Sequence, residues 1–95
     1  MRRLVWAKRA QTDLESIERY WLDERPDYVA EVMAATRHAI LFLLETPGAG
    51  SPVGSRDLRR WRLGKTPYLM LYRVSRSELR IVRIHHERQN WRRAT

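Results

Sequence analysis

Apolar positions along this chain recur every three to four residues in its first half and every two in its second, which divides it into a helical front and a stranded back. Leu4, Val5 and Trp6 form a short apolar run before Lys8 and Arg9, suited to a first strand at the edge or centre of a sheet. Thr12-Asp13-Leu14-Glu15 then has the form of a capping box. Ala10, Leu14, Ile17 and Tyr20 or Trp21 repeat at helical spacing, with Asp13, Glu15, Glu18 and Arg19 turned outward, so a first amphipathic helix is predicted to about Glu24. Pro26 cannot continue that helix but suits the first turn of another. Val29, Met33, Thr36, Ile40 and Leu43 or Leu44 mark the buried face of the second helix, which should reach Glu45. Its apolar end, Ala39 to Leu44, is expected between the first helix and the sheet. So short a link makes the two helices an antiparallel hairpin.

Thr46 to Gly54 holds Pro47, Gly48, Gly50, Pro52 and Gly54 without apolar periodicity, and reads as a loop. Beyond it the pattern alternates. Leu58, Arg60 and Arg62 oppose Arg59, Trp61 and Leu63; after a turn at Gly64-Lys65-Thr66-Pro67, Tyr68, Met70, Tyr72 and Val74 oppose Leu69, Leu71 and Arg73. Ser75 to Glu78 closes a hairpin to a last strand, Leu79 to His86, in which Val82 and Ile84 face opposite to Ile81 and Arg83. The predicted class is α+β, one domain over residues 1–95: an N-terminal strand and a helical hairpin packed on a small antiparallel sheet, in the order β-α-α-β-β-β. Both strand faces carry apolar side chains, and two helices cover only one. The residues around Trp91, or a partner chain, should cover part of the other.

Charge sharpens the picture. Residues 1–48 hold seven Lys or Arg against eight Asp or Glu, and residues 49–95 hold twelve against three, so the net charge of +8 belongs to the stranded half. Such a localised field steers a small domain toward an anionic partner: nucleic acid, a nucleoprotein machine or an acidic protein. Seventeen of the nineteen basic residues are arginine, whose planar fork suits phosphate and carboxylate. Without cysteine there is no disulfide framework and no thiolate metal site. The longest apolar run, Ala39 to Leu44, is too short to cross a bilayer, and no signal-peptide core follows Arg2 and Arg3. A soluble intracellular protein is expected, with no membrane role and no cofactor, since the Gly-rich window leads into no lysine and helix start.

His85 and His86, as strand neighbours, point to opposite faces and cannot chelate one ion together; only His38 stands elsewhere, so no metal site is expected. His86 should hold the turn into the last segment through a ring hydrogen bond. Trp61, Tyr68, Tyr72 and Trp91 interleave with arginines as aromatic platforms do where bases stack; the alternative is that Tyr68 and Tyr72 fill the core with hydroxyls at its rim, and this is the expectation for Tyr72.

The order of strand, helical hairpin, loop and meander, with the segments TPYLMLYRV and LRIVRIHHERQNW, resembles the RelE/ParE superfamily of type II toxins from about Leu4 to Trp91. The most specific parts are Pro67-Tyr68 leading to Tyr72-Arg73-Val74, and the last strand running through His86 to Trp91. The resemblance implies a basic toxin neutralised by a cognate antitoxin that wraps the helical hairpin and the sheet, with Leu14, Ile17, Trp21, Leu69, Leu71 and Ile81 as its contacts. It also implies one of two activities. RelE-like members cleave messenger RNA in the ribosome with lysines, arginines and a C-terminal tyrosine; ParE-like members act on DNA gyrase. At the positions that match the RelE-like lysines stand Arg60 and Arg62, Leu69 replaces an arginine, and no tyrosine follows Tyr72. The ParE-like reading follows: a non-enzymatic gyrase inhibitor whose target contacts are Arg59, Arg62, Lys65, Arg73, Arg83, Arg88 and Trp91. A nuclease would have to rely on Arg60, Arg62, His86 and Arg88, and a non-toxic nucleic-acid-binding module is a third possibility. A free toxin would have an uncovered apolar surface by which to form a homodimer.

Overall fold

Two helices and five strands build the domain, for which a computed structural model describes residues 2–54 and 57–88. They run β1 (Arg3–Trp6), α1 (Lys8–Leu22), α2 (Pro26–Glu45), a 3-10 turn (Pro47–Ala49), β2 (Ser51–Val53), β3 (Leu58–Arg62), β4 (Tyr68–Val74) and β5 (Glu78–His86). The sheet order is β1-β5-β4-β3-β2, with β1 parallel to β5 and every other pair antiparallel. The helical hairpin covers one face. There Ala10, Val32, Ala39 and Leu43 meet Leu63, Met70, Tyr72, Ile81 and Ile84 in the main core. On the other face a smaller cluster of Leu58, Leu69 and Leu71 forms, with Val53 and Val82 against it.

Four elements differ from the sequence pattern, each for a physical reason. The capping box at Thr12 does not start α1, which begins at Lys8 with Ala7 as an extended N-cap. The Ala7 amide donates to the Ile81 carbonyl at 2.9 Å and its carbonyl accepts from the Gln11 amide, so the helix starts where the sheet releases the chain. Asp13 thereby falls in the second turn facing β5, not solvent. The window read as a loop contains β2, an edge strand paired with β3. Pro52 is tolerated there because an edge position need not donate on its open side.

In β5, Tyr72 pairs with Ile81 while Leu71 pairs with Arg83, which leaves Val82 as an extra residue. This bulge resets the alternation, so Ile84 joins Ile81 in the main core while Val82 packs on the opposite face. Finally, the apolar end of α2 is not all interior. Leu41 and Phe42 are 60% and 45% exposed, because Ala39, Ile40 and Leu43 already occupy the side that meets the sheet. Met33 is only half-buried, and Val32 takes the central place on that helix.

The β3–β4 turn is tightly held. Gly64 adopts φ +56°, and the buried Thr66 hydroxyl donates to the Leu63 carbonyl at 2.6 Å. At the other end of the sheet, the Ser75 amide donates to the Glu78 carbonyl and the Glu78 amide to the Ser75 hydroxyl. These two turns fix the register that sets the arginines on their faces.

Candidate functional site on the outer face of the sheet

Strand alternation puts Arg60 and Arg62 of β3 on the face away from the hairpin, paired in register with Leu71 and Leu69. Arg73 of β4, opposite Leu58, shares that face and stands directly across from Arg80. Like charges facing each other across strands repel. Glu78 relieves Arg80 through a 2.8 Å contact, whereas Arg73 makes no ion pair among the described residues. A cationic strip thus overlies the smaller leucine cluster.

Ser51, Arg60, Trp61, Arg62, Leu69 and Glu87 line a shallow depression of about 330 Å³ at one end of this strip. Arg62 donates from Nη1 to Glu87 Oε2 at 2.7 Å and to the Thr66 carbonyl at 3.1 Å. The guanidinium hydrogen bond is the main cause that holds the Glu87 carboxyl below its ordinary range, so it is ionised at neutral pH. Glu87 reaches this place because β4 and β5 pair to their ends: its amide donates to the Pro67 carbonyl, one step beyond the pairing of Tyr68 with His86. Nothing in local sequence marks it.

Other candidates are committed elsewhere. Arg59 turns to the opposite face and donates to the carbonyls of Gly48 and Gly50, tying the 3-10 turn to β3. Arg83 does not stand on the cationic strip: it forms a fork with Asp13, Nε to Oδ2 at 2.8 Å and Nη2 to Oδ1 at 3.2 Å, with both side chains under one-fifth exposed. The same Oδ2 accepts from the Ile84 amide at 2.9 Å. Asp13 thus satisfies the β5 edge beyond the point where β1 ends. Lys65 and Arg88 are exposed at the margins, and Trp91 lies outside the described residues.

Neither histidine is presented as a base on the strip. His85 is 3% exposed, and His86 packs edge-on against Tyr68 while its Nδ1 accepts from the Arg88 amide. That ring bond to the turn is the structural role expected of it. Of the expected antitoxin contacts, Ile81 is fully buried beneath the hairpin and is not available to a partner. Leu69 and Leu71 are also buried, in the smaller cluster. Leu14 and Ile17 are half-buried against the main core, and Trp21 donates its indole N–H to the Tyr68 hydroxyl at 2.9 Å. Leu14 also borders a groove of about 280 Å³ with Trp6, Glu15, Glu18 and Met33.

A family model described as the ParE toxin of the type II toxin–antitoxin system parDE matches residues 4–91. The chain belongs to that family. It is 33% identical over 90 residues to the protein Y4kP of Sinorhizobium fredii, named as a candidate toxin, covering 95% of this chain and 93% of that one. In structure, this ParE-family toxin resembles a chain of the chromosomal ParDE system from P. aeruginosa, with a TM-score of 0.76 at 25% identity, over 90% and 96% of the two chains. It also shares its fold with YafQ of E. coli in the DinJ–YafQ toxin–antitoxin complex, with a TM-score of 0.60 at 12% identity, over 90% and 92%. No helix among the described residues is long and apolar enough to cross a membrane.

Proposed function

We propose that this ParE-family toxin arrests growth by gripping DNA gyrase through the outer face of its sheet. Arg60, Arg62 and Arg73 make the central contacts, with Lys65 and Arg88 at the margins, and a cognate antitoxin neutralises the toxin. What supports this is that, among the described residues, the strip presents arginines and no histidine or tyrosine placed to give and take a proton. Arginine keeps its proton at neutral pH, His85 is buried, His86 packs against Tyr68, and no tyrosine follows Tyr72. What remains is a surface able to hold anionic groups by charge and by forked hydrogen bonds. Purified protein should inhibit gyrase supercoiling, and reversing charge in Arg60→Glu/Arg62→Glu should weaken that inhibition by about a hundredfold. Supercoiling left untouched by the unaltered chain would exclude gyrase as the target.

One observation favours a second reading, ribosome-dependent cleavage of messenger RNA. The Glu87 carboxylate sits in the same depression as Arg60 and Arg62, which supplies a proton acceptor for a ribose 2′-hydroxyl beside two phosphate clamps. Its lowered pKa makes it a weak base. If this reading holds, transcripts in a translating extract are cut, and Glu87→Gln slows cutting by about a hundredfold or more. Intact transcripts dispose of it.

A further inference from the structure

The outer face is not cationic throughout: a carboxylate stands at each end of the arginine strip. At one end Glu78 spends an oxygen on each of two arginines, Oε1 with Arg3 at 3.8 Å and Oε2 with Arg80 at 2.8 Å. At the other end Glu87 gives only Oε2 to Arg62, at 2.7 Å. Its Oε1 has no partner among the described residues, and its side chain is 40% exposed. Both members of this contact are anchored from behind. The Thr66 carbonyl holds the Arg62 guanidinium at 3.1 Å, and the Glu87 amide donates to the Pro67 carbonyl at 2.7 Å. The carboxylate is thus fixed at the mouth of the depression, half used by the fold and half presented outward.

We infer that Glu87 is the residue by which this face selects protein over nucleic acid. It receives a hydrogen-bond donor from the target protein, whose anionic groups meet the arginines of the strip, and it turns a phosphate backbone away. The inference rests on the gyrase reading above and names the residue that sets its specificity. A chain of net charge +8 is otherwise drawn to any nucleic acid. A phosphate backbone offers acceptors alone, one charge to each unit. Laid on Arg62, it would meet the Glu87 carboxylate, which that guanidinium keeps ionised at neutral pH. Like charges brought together across an interface weigh against the wrong partner. Pushing Glu87 into water only exchanges one singly charged acceptor for another, so the phosphate gains little by it. A protein surface mixes donors with acceptors. A lysine, an arginine or a peptide N–H placed on Oε1 would complete a relay from donor to Glu87 to Arg62 and leave the 2.7 Å contact whole. Trp61 and Leu69, which also line the depression, suit the apolar groups of such a surface.

Glu87→Gln keeps an oxygen for Arg62 and removes only the charge, at a side chain exposed enough that folding is not at stake. Two affinities should then move in opposite directions. Binding of a short duplex DNA of mixed sequence, followed by fluorescence anisotropy over a range of salt, should tighten about fivefold, with a log–log salt slope steeper by about one. Binding of purified gyrase without DNA, measured by calorimetry, should weaken about tenfold. Glu15→Gln removes the same charge from an exposed position on α1, in the helical layer behind the sheet, and should change neither affinity by more than about twofold. Glu87→Asp keeps the charge and should hold DNA off as the unaltered chain does. The inference is overturned if Glu87→Gln binds DNA no tighter than Glu15→Gln, or binds gyrase as well as the unaltered chain or better. It is equally overturned if the unaltered chain cuts transcripts in a translating extract and Glu87→Gln does not, since the carboxylate then works on RNA. Inhibition of gyrase by the unaltered chain, with both affinities of Glu87→Gln shifted the same way, sinks only the role of Glu87. No binding or inhibition of gyrase by the unaltered chain sinks the gyrase reading, and the inference with it.

Discussion

Asp13→Ala is expected to lower unfolding free energy by about 3 kcal/mol or more, because it strands the Arg83 guanidinium in a largely buried place. It also removes the acceptor of the Ile84 amide. A domain of this size holds only about 5–15 kcal/mol in total, so the variant should be partly unfolded at growth temperature. The comparison that isolates the cause is a double-mutant cycle in urea. Asp13→Leu with Arg83→Leu removes both charges and should recover much of the loss, since replacing a buried pair by apolar groups is far less costly than breaking it. A midpoint for Asp13→Ala within experimental error of the unaltered chain would show that the fork is not a latch between α1 and β5.

Gly50→Ala should do comparable damage by a different route. A Cβ at Gly50 would lie 2.5 Å from the Tyr72 hydroxyl and 2.7 Å from the Arg60 carbonyl oxygen, and the second of these is backbone that cannot swing away. The clash also breaks a clamp. The Gly50 amide donates to the Tyr72 hydroxyl at 2.9 Å, and that hydroxyl donates to the Pro47 carbonyl at 2.8 Å. Together these hold the 3-10 turn and β2 against β4. The expected cost is about 3 kcal/mol for Gly50→Ala, and about 2 kcal/mol for Tyr72→Phe, which only orphans the two backbone groups. Burial is the main cause that raises the Tyr72 phenol above its ordinary value, with the Gly50 amide and Arg59 opposing it. A raised folded value means this group's contribution is intact below the ordinary tyrosine pKa of about 10 and is lost as pH climbs through the folded one. Urea midpoints followed from neutral to alkaline pH should fall in that window, and Tyr72→Phe should flatten part of the fall.

The two clamps bear on the proposed function because they hold the strip in place. Arg60 and Arg62 are flanked by β2 on one side and by the Glu87 end of β5 on the other. Loss of either clamp should therefore reduce toxicity without touching an arginine of the strip.

Periodicity alone located the helical hairpin, with Pro26 opening α2 and Glu45 closing it, as well as the three long strands and the alternation that sends Arg60 and Arg62 to one face and Trp61 to the other. Those features depend on neighbours a few residues apart, which is the range over which sequence pattern carries physical information. It misjudged what depends on the sheet edge. The Pro52 window reads as loop until β3 is there to pair with it, and the Thr12 capping box loses to a start fixed by the Ala7 amide on Ile81. The Val82 bulge, too, appears only once β4 and β5 are in register.

Charge placement divides the same way. From sequence alone come the basic half and its preference for arginine, the absence of a late tyrosine, and the likeness to RelE/ParE toxins that the family match bears out. Only the folded chain decides which arginines are tied into the fold, because partners 9 to 70 residues away claim several of them. Asp13 takes Arg83, the carbonyls of Gly48 and Gly50 take Arg59, and Glu87 takes Arg62. A guanidinium's reach is set by distance in space, and the sequence lists its possible partners without saying which one stands 3 Å away.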